Sequence, residues 1–213
     1  MAGKIITVAQ QKGGSGKTTV AAHLAVAFAR LGQSVALLDV DPQGSLGQWY
    51  EARERRVGEN QTGISFRTAS GWGARREAGW LARDHDVVVV DTPPKSDLEA
   101  RPAIQAADLV VVPIQPTPVD LWASAATLGM AAAERSPSLM ILNRVPPRAL
   151  LTAEVMDGIL ALGAGLAEAR LGNRVAFAAS MGEGGTVLET APGSKGAEEV
   201  DALVREVLGK VAA

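Results

Sequence analysis

The chain of 213 residues has no cysteine, which excludes disulfides, thiol nucleophiles and sulfur-ligated metal clusters. It has only two histidines, His23 and His85, too few for a histidine-rich metal site. Both are expected to be structural or solvated, His23 in a helix and His85 in a polar turn. Aromatic residues make up 4% of a chain that is 47% hydrophobic, so the core must be built from Ala, Val, Leu and Ile. That mix fits parallel strands covered by helices better than an all-β sandwich. No apolar run is long enough to span a bilayer. The start Met-Ala-Gly-Lys runs straight into an apolar stretch, leaving no space for a signal peptide, so a soluble cytoplasmic protein is expected. The formal net charge is −2. Binding to nucleic acid would therefore need a local basic face.

Glycine and lysine are concentrated in one place: Lys12-Gly13-Gly14-Ser15-Gly16-Lys17-Thr18-Thr19, directly after Ile5 to Val8. Glycines let successive N–H groups point into one concavity, and a following helix adds its positive N-terminal end. This is a phosphate cradle. Lys17 supplies a cation for the outer phosphates, and the Thr18 hydroxyl is placed to ligate Mg²⁺. A second lysine, Lys12, beside the same phosphates is unusual.

Apolar runs alternate with helical stretches along the chain. Strands are expected at Lys4–Gln10, Ser34–Val40, Ile64–Ala69, Asp86–Asp91, Leu109–Ile114, Leu139–Asn143 and Leu166–Leu171. Helices are expected at Lys17–Leu31, from Gln43 to about Val57, at Gly71–Arg83 and at Lys195–Lys210, with others between the later strands. This is the pattern of an α/β fold with a doubly wound, mostly parallel sheet flanked by helices, in one domain over residues 1–213. Arg53–Thr62 and Gly182–Gly185 are the expected mobile loops. Ligands of such sheets sit at the C-terminal strand ends, where every motif here falls.

Asp39-Val40-Asp41-Pro42-Gln43 closes the second strand. Two carboxylates beside a triphosphate repel unless Mg²⁺ or water lies between them. Asp39 is therefore a candidate for the outer shell of Mg²⁺, and Asp41 for positioning an attacking water. Asp91, after four valines and before Thr92-Pro93-Pro94, is a candidate to hold Mg²⁺ directly or through water. Asn143, at another strand end, offers the donor and acceptor that a purine edge needs, though asparagine is also a common turn residue. Gly172-Asn173 would add contacts to the base. Pro116-Thr117-Pro118-Val119-Asp120 reads as a helix start, and equally suits an interface.

Together, Lys12 to Thr19, Asp39 to Gln43 and Asp91-Thr92-Pro93 resemble the nucleotide motifs of the ParA/MinD deviant-Walker ATPases, which have the P-loop NTPase fold. Val187-Leu188-Glu189 and Ser194-Lys195-Gly196-Ala197 resemble that family's C-terminal pattern. The short chain looks most like the small plasmid-type ParA proteins. The resemblance implies ATP and Mg²⁺ as cofactors, held by Gly13, Gly14, Ser15, Gly16, Lys17, Thr18 and Thr19, with Asp91 as the Walker B acid and Asp41 serving hydrolysis. It implies that Lys12 reaches the nucleotide of a second subunit in an ATP-sandwich homodimer. It also implies non-specific DNA binding by the dimer, a ParB-like or centromere-binding partner that stimulates hydrolysis, and a nucleoid-associated location. Two features depart from the pattern. Ala176 stands where many relatives carry a basic residue, and from Arg135 onward there are eight Lys/Arg against nine Asp/Glu. Arg144, Arg148, Arg170, Arg174, Lys195 and Arg205 are the residues left to form a basic face.

Other functions stay open at this level. A MinD-like membrane-cycling ATPase would need an amphipathic membrane helix after the fold, and the chain stops at Lys210-Val-Ala-Ala. A metabolic enzyme on the same fold would not need Lys12. A related bacterial tyrosine kinase would carry a tyrosine cluster, whereas Tyr50 stands alone.

Overall fold

The structure is a computed structural model that describes residues 2–94, 97–147 and 153–212. Seven strands pair in parallel: β1 (Lys4–Val8), β2 (Val35–Asp39), β3 (Ser65–Thr68), β4 (Val87–Asp91), β5 (Leu109–Ile114), β6 (Ser138–Val145) and β7 (Gly165–Gly172). Their order in the single sheet is β3-β2-β4-β1-β5-β6-β7. The strands lie close to the spans expected from sequence, and the doubly wound architecture is the observed one.

Side chains alternate across the sheet and so build two cores. One face takes Ile6, Val8, Leu37, Val89, Val111 and Ile141, covered by α1 (Lys17–Arg30), α2 (Ser45–Val57), α7 (Val175–Gly182), α8 (Val187–Thr190) and α9 (Lys195–Ala212). The opposite face is covered in two parts. Ala36, Leu38, Val88 and Val90 pack against α3 (Ala74–Asp84) and α4 (Asp97–Ala106). Val110, Val112, Met140 and Leu142 pack against α4, α5 (Pro118–Ala133) and α6 (Ala153–Ala161). Small alanines at Ala74, Ala78 and Ala82, one helical turn apart, let α3 lie close to the strands. The helix expected from Gly71 starts as a short 3₁₀ turn, Gly71–Gly73, before α3 proper. Thr117 caps α5, its hydroxyl accepting from the Asp120 N–H, with Pro118 at the first helical position.

Arg53–Thr62 and Gly182–Gly185 are not the free loops expected. The buried Arg53 guanidinium donates to the Thr62 carbonyl at 3.1 Å and pairs with Glu189 at 2.9 Å. Trp49 Nε1 donates to the Gly185 carbonyl at 3.0 Å. At Gly184 (φ +68°) a Cβ would lie 2.2 Å from the Arg53 nitrogen, so only glycine permits the approach. The two stretches pin each other.

His23, on α1, is buried beside Phe177. Its Nδ1 lies 2.7 Å from the Thr19 carbonyl, and its Nε2 accepts from the Val187 N–H at 3.2 Å. Accepting at Nε2 requires the neutral ring with the proton on Nδ1. Burial accordingly pushes its pKa down to about 4. Because the folded value lies below the unfolded one, the stability from neutral His23 is complete above about pH 6.5 and is lost as pH falls toward 4. The loss is about 3 kcal/mol at full protonation. Denaturant midpoints should therefore drop between pH 6.5 and 4.5, and His23→Gln, which can still donate and accept, should flatten that segment. A profile of unchanged slope in the variant would remove His23 as the cause.

Candidate functional site

Strand register assembles the site. In the parallel ladder Asp39 pairs with Asp91 across β2 and β4, and Asp91 pairs with Val8 across β4 and β1. Both carboxylates thus lie at the strand ends beside the loop that follows β1. That loop runs to Gly16, and α1 begins at Lys17. Gly14 and Gly16 take φ of +77° and +92°, the left-handed region that side chains avoid. A Cβ on Gly16 would also come within 2.4 Å of Asn143 Nδ2. The glycine pattern is thus a backbone requirement at Gly14 and Gly16.

Gly13, Gly14, Gly16, Lys17, Thr18, Thr19 and Asp41 line one open cavity of about 470 Å³ together with Gln43, Ser45, Pro94 and Arg144. Lys17 is buried, and burial lowers its pKa against the opposing charges of Asp91 and Asp41. Thr18 donates its hydroxyl to Asp91 Oδ2 at 2.7 Å. Asp91 Oδ1 is fully buried and has no hydrogen-bond partner among the described residues; the same is true of the Ser15 hydroxyl in the loop. Buried polar atoms left without partners are costly unless a ligand completes them. An orphaned carboxylate oxygen beside a threonine hydroxyl fits Mg²⁺, a hard cation that takes oxygen ligands and keeps several waters. The loop amides and Lys17 fit phosphate.

Asp39 is held by the backbone. Its Oδ1 accepts from the Asp41 N–H at 3.0 Å and its Oδ2 from the Gly47 N–H at 3.1 Å. Burial pushes its pKa up and those amides oppose the rise. With a backbone donor on each oxygen, Asp39 shapes the loop into α2, and a contact with a metal would run through water on its remaining lone pairs. Among the described residues Asp41 accepts one side-chain hydrogen bond, Oδ1 from the Gln43 N–H at 2.9 Å, and it lines the cavity.

Asn143 is also committed to the protein. Its Nδ2 donates to the Ser15 carbonyl at 2.7 Å and its Oδ1 accepts from the Arg144 N–H at 2.9 Å. It ties the end of β6 to the phosphate loop while lining a second cavity of about 390 Å³ with Thr19, Asn173, Arg174 and Phe177. Asn173 and Arg144 lie on that cavity too, beside the phosphate loop. Arg144 borders both cavities, a placement the sequence signalled only by its adjacency to Asn143. Of the basic residues expected to form one face, Arg170, Arg174 and Lys195 line a common groove, where Glu199 pairs with Arg174 at 2.5 Å. Arg148 lies outside the described residues.

Lys12 does not point freely outward. Its Nζ lies 2.5 Å from Oδ2 of Asp120 on α5. Gln115 Nε2 donates to the Gly14 carbonyl at 3.2 Å from the same side. Neither contact was legible in sequence.

A family model described as the CobQ/CobB/MinD/ParA nucleotide binding domain matches residues 6–187. The chain is 29% identical over 210 residues to the maintenance of carboxysome distribution protein A of Halothiobacillus neapolitanus, covering 95% of each. It is 32% identical to the chromosome-partitioning ATPase Soj of Thermus thermophilus, covering 97% of this chain and 96% of that one. Among solved structures, the cell division ATPase MinD of Pyrococcus furiosus superposes with a TM-score of 0.82 at 21% identity, over 97% of this chain and 99% of that one.

Burial raises the Asp91 pKa to about 7, and the nearby Asp39 and Asp41 carboxylates reinforce the shift against Thr18 and Lys17, so a proton is held there more tightly than on a free carboxylate. A divalent cation favours the ionised form, so Mg²⁺ with nucleotide should release that proton. Titration calorimetry near pH 7 in two buffers of different ionisation enthalpy should give different heats for the parent and converging heats for Asp91→Asn. Equal heats in the parent would show that Asp91 is already ionised.

Proposed function

The chain belongs to the CobQ/CobB/MinD/ParA nucleotide-binding family, and from that premise we propose that it is an ATPase of the ParA type. ATP would join two copies and hydrolysis would part them, in the service of DNA partition or the positioning of a cytoplasmic cargo. One observation carries the reading. Lys12 stands beside a complete phosphate loop whose cavity also holds Asp41. A single subunit already has Lys17 for the phosphates of its own nucleotide. A second lysine is best accounted for if two triphosphates face each other across an interface and each needs a cation from the opposite side.

Each residue then has a part. The loop amides from Gly13 to Thr19 and the Lys17 amine bind the phosphates. Thr18 and Asp91 would hold Mg²⁺, which when bound offsets charge among phosphate oxygens and carboxylates. Asp41 orients a water toward the γ-phosphate through its open oxygen, and its Oδ1 contact to the Gln43 N–H fixes the carboxylate plane. Asn143 keeps the loop in its cradle form through the Ser15 carbonyl.

The nucleoid location, the ParB-like partner and non-specific DNA binding belong to the same proposal. The groove with Arg170, Arg174 and Lys195 is the basic surface that supports DNA binding, weakened by Glu199 within it. A membrane-cycling reading has less support. The apolar side of α9, Val200, Leu203, Val204, Val207 and Val211, is buried against the sheet and is not free to enter a bilayer interface. No helix among the described residues is long and apolar enough to cross a membrane.

Sedimentation velocity tests the reading. The parent should shift to dimer with Mg²⁺ and ATP and stay monomeric with ADP. Lys12→Ala should keep nucleotide binding and lose the shift; normal dimerisation of that variant would refute the cross-subunit lysine. Asp41→Ala should bind ATP nearly as well as the parent, turn over about 10²–10⁴-fold more slowly in single-turnover assays and accumulate as ATP-bound dimer. Unchanged turnover would take Asp41 out of hydrolysis, and lost ATP binding would place it with the metal.

A further inference from the structure

Helix α5 carries a buried polar stripe at Asp120, Ser124 and Thr127, spaced so that all three face the start of the phosphate loop. Thr127 Oγ1 accepts from the Gln11 N–H at 3.2 Å, and Ser124 Oγ accepts from Gln10 Nε2 at 2.8 Å. Asp120 Oδ2 takes the Lys12 amine at 2.5 Å. Three successive loop residues are thus held by three successive turns of one helix.

The last of these pairs is lopsided. Asp120 has no solvent exposure, whereas the Lys12 side chain is 32% exposed. Lys12 has a way out and Asp120 does not. Besides the lysine, Asp120 Oδ2 receives the Thr117 hydroxyl at 2.5 Å, while its Oδ1 is buried with no partner among the described residues. If Lys12 leaves, a carboxylate stays buried with one hydroxyl for company, and such a broken pair is strongly unfavourable.

We propose that Asp120 is the resting anchor of Lys12: it holds the amine within its own subunit and opposes its transfer to the nucleotide of a second copy. The inference rests on the ATP-dimer reading above and adds to it the contact that restrains association. Dimerisation then exchanges one carboxylate partner of Lys12 for phosphate oxygens. The cost of vacating Asp120 keeps the two copies apart until a triphosphate is present to receive the lysine. Asp120 is a positioning residue in this scheme, because it acts through Lys12 and touches no nucleotide.

Asp120→Asn separates the effects, since the amide keeps the shape and the Thr117 contact while removing the charge left behind. By sedimentation velocity in Mg²⁺ and ATP, the dimer dissociation constant of the variant should be lower than that of the parent by about tenfold or more, the range of a desolvated charge pair. An unchanged or weaker dimer would overturn the anchor. A second readout does not depend on association. In nucleotide-free protein, acetylation of Lys12 followed by peptide mass spectrometry, normalised to the exposed Lys210, should be several-fold faster in Asp120→Asn than in the parent. Equal rates would overturn the anchor even if the parent dimerises as expected. A parent that remains monomeric with ATP while Lys12 is unmasked in the variant would instead overturn the dimer reading and leave the anchor standing. If the variant fails to fold, the parent decides alone: Lys12 should be acetylated several-fold more slowly than Lys210, and equal rates would overturn the proposal.

Discussion

Like charge gathered in a small space is the constraint on which the rest of this site depends. The register of β1, β2 and β4 sets Asp39 and Asp91 side by side at the mouth of a loop shaped for a polyanion. Asp41 follows two residues later. Left alone, three carboxylates and a triphosphate would repel one another. The chain handles each carboxylate differently. Asp39 is held by geometry, with a backbone N–H group on each of its oxygens. Asp91 is held by Thr18 and has its pKa raised by burial. Asp41 stays at the cavity wall with one oxygen open. Three environments give three chemical parts to the same side chain.

The fold was legible because its signals are local. Apolar strands such as Val87 to Val90 leave no polar face, and each strand end carries a turn residue or a motif. The phosphate loop was legible for the same reason, since glycine at Gly14 and Gly16 answers to φ within one short segment. What escaped the sequence is what depends on residues far apart in the chain. Nothing near Arg53 says that it will be buried against Glu189 at a separation of 136 residues. Its neighbourhood reads as a charged loop, and the ion pair turns that stretch into a strut between α2 and α8. The backbone contacts of Asp39 escaped for a different reason. It lies beside Asp91 as its strand position implies, but backbone amides donate to its oxygens, and amide direction is a property of the folded loop.

Asn143 shows how one residue can satisfy both the bland reading and the functional one. An asparagine at a strand end is commonly a turn residue, and here it accepts from its neighbour's N–H as such residues do. The same side chain donates to the Ser15 carbonyl and borders the cavity beside the loop. Its place makes the end of β6 part of the phosphate cradle. Any change at that strand end is therefore felt at the loop.

The second lysine, Lys12, rests against Asp120 of α5. If Lys12 serves a neighbouring molecule as proposed, it would be a liability in the free subunit, where it would bind stray anions or fold back onto its own nucleotide. The buried stripe of α5 gives it a place to rest without dismantling the loop, because Gln10 and Gln11 are held by Ser124 and Thr127 independently of Lys12. The loop can keep its form while the lysine changes partner. Gln115 reinforces this from the segment before α5 by holding the Gly14 carbonyl. Cradle and lysine are thereby separable: one is fixed by backbone and neutral hydrogen bonds, the other by a single charged contact. A nucleotide switch needs that division, since the part that binds must stay formed while the part that signals moves.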